Sequence, residues 1–286
     1  MANGDKLAID GGTPVVSEPL PAGVSGPSVV DEEEISAITD LLRSQGLFRY
    51  RHGGQTAQFE AEAAEFLGVE HALMVNSGTS ALICALTAVG VGPGDEVIVP
   101  GYTYIATAAA VIATGAVPVI AEIDESLGLD PKDLEAKITP YTKAVVPVHM
   151  RGVPARLDDI LEVAKKHGLK VVEDCCQCVG GSYKGQRVGS YGDAGAWSLN
   201  YYKTISSGEG GLVYTNDRDV FERACFTADP GLPMWTKTDA SVEWRNESFP
   251  RQTYRPSEVL GSMARVQLGK IGDILAHQRA LKAAFL

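Results

Sequence analysis

Hydrophobic positions along the chain follow two alternating rhythms. Short runs that are mostly apolar occur at 72–75 (Ala-Leu-Met-Val), 97–100 (Val-Ile-Val-Pro), 117–120 (Val-Pro-Val-Ile), 144–148 (Ala-Val-Val-Pro-Val) and 170–173 (Lys-Val-Val-Glu). Helix-period stretches at 79–89, 104–114, 131–138 and 155–167 separate most of them. Strands apolar on both faces, alternating with helices, predict an α/β fold with a mostly parallel sheet flanked by helices. Ahead of this region, Asp31 to Arg43 opens with acids and carries Ile35, Ile38, Leu41 and Leu42 on one face. Gln55 to Leu67 repeats the pattern with Phe59, Phe66 and Leu67. Residues 1–29 are rich in Gly, Pro and Ser and read as an arm.

After Asp174 the rhythm shortens to strand-like pieces at 194–198 and 211–215, which bracket Lys203. Residues 228–252 are irregular and contain Trp235 and Trp244. Pro256 and Ser257 open a long helix that runs to Leu286 with no stop signal. In parallel sheets ligands bind beyond the C-terminal strand ends. Asn76-Ser77-Gly78-Thr79, Tyr102 to Tyr104, His149 to Gly152 and Asp174 to Gln177 all fall at such ends.

Composition narrows the function. A net charge of −11 over 286 residues argues against a nucleic-acid partner or an anionic membrane surface. No apolar run reaches the roughly 18 residues that span a bilayer, and the N-terminus lacks a signal-peptide stretch, so a cytoplasmic location is expected. The five cysteines have no framework spacing. Cys175, Cys176 and Cys178 cluster without CxxC spacing or an adjacent histidine, and are expected to pack at a strand end; no metal is expected.

The chemistry centres on Lys203, in Trp197-Ser198-Leu199-Asn200-Tyr201-Tyr202-Lys203 ahead of the Gly208 to Gly211 turn. That setting suits a Schiff-base lysine for pyridoxal 5'-phosphate. Such a cofactor needs a carboxylate at its pyridine nitrogen, and Asp174 stands at a strand end upstream. It needs amides and hydroxyls for its phosphate; Ser77-Gly78-Thr79 before a helix can supply them, with Ser198 as a further hydroxyl. Tyr104 can lie across the ring. Ser207 to Gly211 lacks the Lys-Ser/Thr of a P-loop, and His149 is expected to be structural or part of a pocket wall.

These segments together resemble the DegT/DnrJ/EryC1/StrS sugar aminotransferases, which have the fold-type-I pyridoxal phosphate architecture. The motifs are Asn76 to Leu82, Gly92-Pro93-Gly94-Asp95-Glu96-Val97-Ile98, Ile138 to Ala144, Glu173 to Gln177 and Ser198 to Gly211. The resemblance implies that Lys203 bonds the cofactor covalently and Asp174 pairs with its ring nitrogen. It implies further that Gln177 touches the phenolic oxygen side, Tyr104 stacks on the ring, and Gly78, Thr79 and Ser198 hold the phosphate. The sugar dehydratases of the family carry histidine in place of this lysine, so Lys203 favours transamination.

By the same resemblance the working unit is a homodimer with shared active sites. The chain divides into an arm and first helix (1–45), a large cofactor domain (46–250) and the start of a truncated C-terminal domain (251–286). Thr253 stands where the family usually has an asparagine that reaches the partner's phosphate. The implied reaction moves an amino group from glutamate or glutamine to a keto-sugar or keto-cyclitol. The rivals are a lyase, dehydratase or cyclase on the same fold, and an inactive pyridoxal-binding fragment.

Overall fold

The structure, a computed structural model, describes residues 6–14, 23–50, 53–232, 234, 243–246 and 248–285. Much of the arm, Trp235 and Leu286 lie outside the described residues. Two helices open the fold, α1 (Glu32–Arg43) and α2 (Gln55–Leu67). Asp31 caps α1 through the Glu33 amide while Glu34 reaches back to the Asp31 amide, a reciprocal capping box. Gly68 ends α2 in the left-handed conformation, at φ 70°.

Strand and helix then alternate: β1 (His71–Val75), α3 (Gly78–Ala88), β2 (Glu96–Pro100), α4 (Ala106–Thr114), β3 (Val117–Ala121), α5 (Pro131–Ala136), β4 (Thr142–Val145), α6 (Leu157–His167) and β5 (Lys170–Asp174). A two-stranded hairpin follows, β6 (Ser182–Tyr183) with β7 (Gln186–Arg187). Then come β8 (Ala194–Ser198), β9 (Gly211–Thr215), α7 (Arg218–Ala228) and α8 (Glu258–Phe285). The main sheet runs β1-β9-β8-β5-β4-β2-β3. Its pairs are parallel except where β9 meets β1 and β8. A mostly parallel sheet is what the alternation predicted.

Strand alternation distributes the core to two faces. Leu73, Val75, Val97, Val99, Val172, Ala196 and Val213 pack with α3, α4 and α7. On the other face Met74, Trp197, Leu212 and Tyr214 pack with Phe59 of α2 and with Leu268, Ile271 and Ile274 of α8. Ile98, Val145 and Val171 pack there with Leu134 and Ile160. Each fully buried side chain of this size contributes about 1.5–3 kcal/mol relative to exposure.

Two features depart from the sequence reading. The run at 117–120 is apolar, yet Val117 is 56% and Ile120 53% exposed. Strand β3 is the edge of the sheet, and strand order is set by crossovers that a local pattern does not encode. Helix α7, capped by Asp217 through the Asp219 and Val220 amides, was not distinguished from its surroundings in sequence. Among the described residues no helix is long and apolar enough to cross a membrane.

Candidate active site

The C-terminal ends of β1, β2, β5 and β8, with the loop after β4, converge on one cavity of about 1400 Å³. Its wall includes Gly78, Thr79, Tyr104, Asp174, Gln177, Ser198 and Lys203, so every site residue expected from sequence reaches it. The reason is topological: parallel strands deliver their following loops to one edge of the sheet.

Asp174 closes β5 and is tied to the adjacent chain through its backbone. Its amide donates to Pro147 O at 2.9 Å and its carbonyl accepts the His149 amide at 3.0 Å. The carboxylate is 5% exposed. Oδ2 accepts the Thr107 hydroxyl at 2.8 Å and Oδ1 accepts the Cys176 amide at 3.0 Å. Two directional donors thus aim an otherwise buried negative charge at the cavity. Burial, then the Asp174 carboxylate, push the Cys176 thiol well above its usual range, against an opposing pull from Lys203. The thiol is therefore protonated at neutral pH. Cys175 and Cys178 are buried in the core, as a packing role requires.

Lys203 hangs from the connection between β8 and β9. Leu199 N donates to Gly210 O, Tyr201 N to Gly208 O and Ser207 N to Leu199 O, at 2.9, 2.9 and 3.1 Å. The Ser206 hydroxyl donates to Leu199 O and accepts the Gly208 amide. The loop is therefore rigid, while Lys203 makes no salt bridge among the described residues.

Ser77 caps α3 by accepting the Ser80 amide at 3.0 Å. The amides of Gly78 and Thr79 have no acceptor among the described residues. These two N–H groups stand at the positive end of a helix, an arrangement that favours a phosphate. A Cβ on Gly78 would lie 2.6 Å from the Ser198 Cβ. Only glycine allows α3 to approach β8 this closely, which brings the Ser198 hydroxyl beside the helix amides. A lysine, a carboxylate and an amide-hydroxyl cradle on one cavity wall fit pyridoxal phosphate.

His149 is fully buried and lies behind the wall. Its Nδ1 accepts the Ala155 amide at 3.0 Å, which puts the ring proton on Nε2, donated to Glu173 Oε2 at 3.0 Å. Glu173 also accepts the Gly189, Tyr191 and Gly192 amides. His149, Glu173 and Cys175 bring three donor atoms within 4.8 Å of one another. The hydrogen bonds already occupy the histidine and carboxylate atoms, so this is a structural network, as expected for His149.

Comparison with known proteins agrees with this geometry. The DegT/DnrJ/EryC1/StrS aminotransferase family model matches residues 28–285. The chain belongs to this family. It is 49% identical over 220 residues to a GDP-perosamine synthase of Caulobacter vibrioides, covering 77% of this chain and 57% of that protein. The solved aminotransferase from Psychrobacter cryohalolentis superposes with a TM-score of 0.78 at 35% identity, covering 90% of this chain and 64% of that one. The Bacillus subtilis protein NtdA, solved with its bound cofactor pmp, superposes with a TM-score of 0.73 at 27% identity, covering 84% and 53%. The chain spans 66% or less of the length of the curated relatives it matches.

Family membership does not by itself reveal Thr107, which supports Asp174 from 67 residues away in sequence. A signal was present, since Thr107 follows Tyr104 by three residues at the start of α4 and shares its side of the turn. Arg151, Gln278, Arg279 and Lys282 also line the cavity and were not singled out from sequence. Thr253 is exposed and is not among the cavity-lining residues.

Proposed function

We propose that this chain is the cofactor-binding part of a pyridoxal phosphate aminotransferase. It would move an amino group from glutamate or glutamine to a keto-sugar or keto-cyclitol. The observation that carries this reading is the meeting of Lys203, Asp174 and the free amides of α3 on one cavity wall. The perosamine synthase among its relatives supports a sugar acceptor.

Pyridoxal phosphate bound there would supply an electron sink for the carbanion formed beside nitrogen. Asp174, held by Thr107 and the Cys176 amide, keeps a proton on the ring nitrogen. The Gly78 and Thr79 amides and the Ser198 hydroxyl hold the phosphate. Tyr104 would lie against the ring and Gln177 would face its phenolic oxygen, since both line the cavity. Lys203 would hold the cofactor, and its amine is placed to take up and return a proton at the reacting carbon. The same reading makes the working unit a cytoplasmic homodimer with shared active sites; light scattering on the purified protein tests the dimer.

The decisive measurement is the absorption spectrum with pyridoxal phosphate, wild type beside Lys203→Ala, before and after glutamate or glutamine. A visible band lost in the variant and bleached by donor in the wild type supports the reading. A band that no donor bleaches identifies a binding protein without turnover. No band at all overturns the proposal.

A further inference from the structure

We infer that Arg151 is the carboxylate anchor for the amino donor. Arg151 lies at φ 54°, ψ 28°, in the left-handed region that long side chains avoid. Its loop is stapled there from behind. The His149 ring accepts the Ala155 amide, the Val153 amide donates to Met150 O at 3.0 Å, and the fully buried Glu173 fixes the ring. An over-determined backbone therefore holds an unfavourable conformation at a residue whose side chain is exposed on the cavity wall.

The guanidinium makes no hydrogen bond or ion pair among the described residues. Many other arginines are satisfied: Arg49 by Glu60, Arg156 by Asp124 and Asp159, Arg218 by Glu222 and Arg265 by Glu62. The position is also suitable. His149, two residues earlier, bonds to the backbone of Asp174, and a Cβ on the next residue, Gly152, would lie 3.8 Å from Gln177 O. Arg151 thus stands beside the turn that carries the ring-nitrogen carboxylate. A planar five-donor fork in that place suits the two oxygens of a carboxylate. The inference rests on the aminotransferase reading, because it takes the anion to be the donor's carboxylate.

The test measures binding of glutarate, which has the donor's carboxylates but no amine to react. Inorganic pyrophosphate is measured in parallel, on the cofactor-loaded chain and on the cofactor-free chain. Arg151→Gln and Arg151→Gly are expected to weaken glutarate roughly ten- to hundredfold, with Arg151→Lys between them and wild type. Pyrophosphate binding and the cofactor band should be unchanged. In the donor half-reaction the concentration for half-maximal rate should rise by a similar factor while the limiting rate stays. The glycine variant relieves the backbone, so wild-type glutarate binding by it would overturn the inference, as would wild-type binding by Arg151→Gln. Weakened pyrophosphate with unchanged glutarate would overturn it in favour of a phosphate on the acceptor. Loss of the band in wild type would instead refute the aminotransferase reading, and glutarate binding to the cofactor-free chain would still test Arg151.

Discussion

The Thr107 hydroxyl, on α4, donates at 2.8 Å to Oδ2 of Asp174, at the end of β5 and 67 residues away in the chain. Thr107 is 1% exposed and also contacts the Thr103 hydroxyl at 2.7 Å. Thr107→Val keeps the shape and removes the donor, leaving one carboxylate oxygen without its partner. The cost is about 1–3 kcal/mol of Asp174 orientation, read as a roughly tenfold or larger fall in the donor half-reaction with the cofactor band retained.

Asp174→Asn tests the charge itself. The variant is expected to fold and to hold cofactor, since its amide oxygen can keep the Cys176 N–H while the Thr107 hydroxyl turns to accept from its NH2 group. The half-reaction should fall by roughly 10²–10⁴, because the ring nitrogen loses the anion that keeps it protonated. Stopped-flow bleaching of the cofactor band measures it. A variant as fast as wild type would remove Asp174 from the reaction.

Gly78→Ala places a methyl 2.6 Å from the Ser198 Cβ. Helix α3 must move back from β8, at about 1–3 kcal/mol. Cofactor titration should then show weaker binding, and thermal unfolding a lower midpoint; Ser198→Gly should partly restore the midpoint but not the cofactor binding, because it also removes a phosphate hydroxyl.

Glu173 is fully buried and accepts four hydrogen bonds, from His149 and from the Gly189, Tyr191 and Gly192 amides. Glu173→Ala strands all four donors, an expected loss of about 3–5 kcal/mol in denaturant unfolding. Glu173→Gln should not rescue it, because its amide nitrogen must face N–H donors.

Acid stability is expected to depend on Glu34. Burial alone would raise its carboxyl, but hydrogen bonds from Lys270, the Asp31 amide and Gln267 outweigh burial and hold it below the usual carboxylate range. A group depressed in the folded state contributes stability that is present above its unfolded pKa and lost as pH falls through the folded value. The loss should therefore begin below about pH 4.5. Lys270→Met leaves the buried carboxylate without its cation and should cost about 3 kcal/mol at neutral pH. It should also flatten or reverse the acid dependence of the unfolding midpoint.

Much of this molecule was legible in sequence because its signals are local. The strand at 194–198 and the helix at 55–67 have the bounds their patterns predict. Lys203, Asp174 and Gly78 could be assigned to one cavity wall because each sits in a short motif next to a strand end. What escaped depends on distant pairing. The exposure of Val117 follows from strand order, the amide donors to Glu173 come from a loop 16 to 19 residues on, and Arg151 gains meaning only once its loop is seen against the cavity.

The crossing of Gly211 under Ser77 has a consequence for biosynthesis. A Cβ on Gly211 would lie 2.2 Å from Ser77 O, so the first turn of α3 rests directly on the start of β9. Among the described residues strand β9 is also the only neighbour of β1 in the sheet. While the ribosome is still making the chain, the phosphate cradle has no floor until β9 emerges, by which point Lys203 has already been translated. Cradle and lysine thus come together only once β9 is in place.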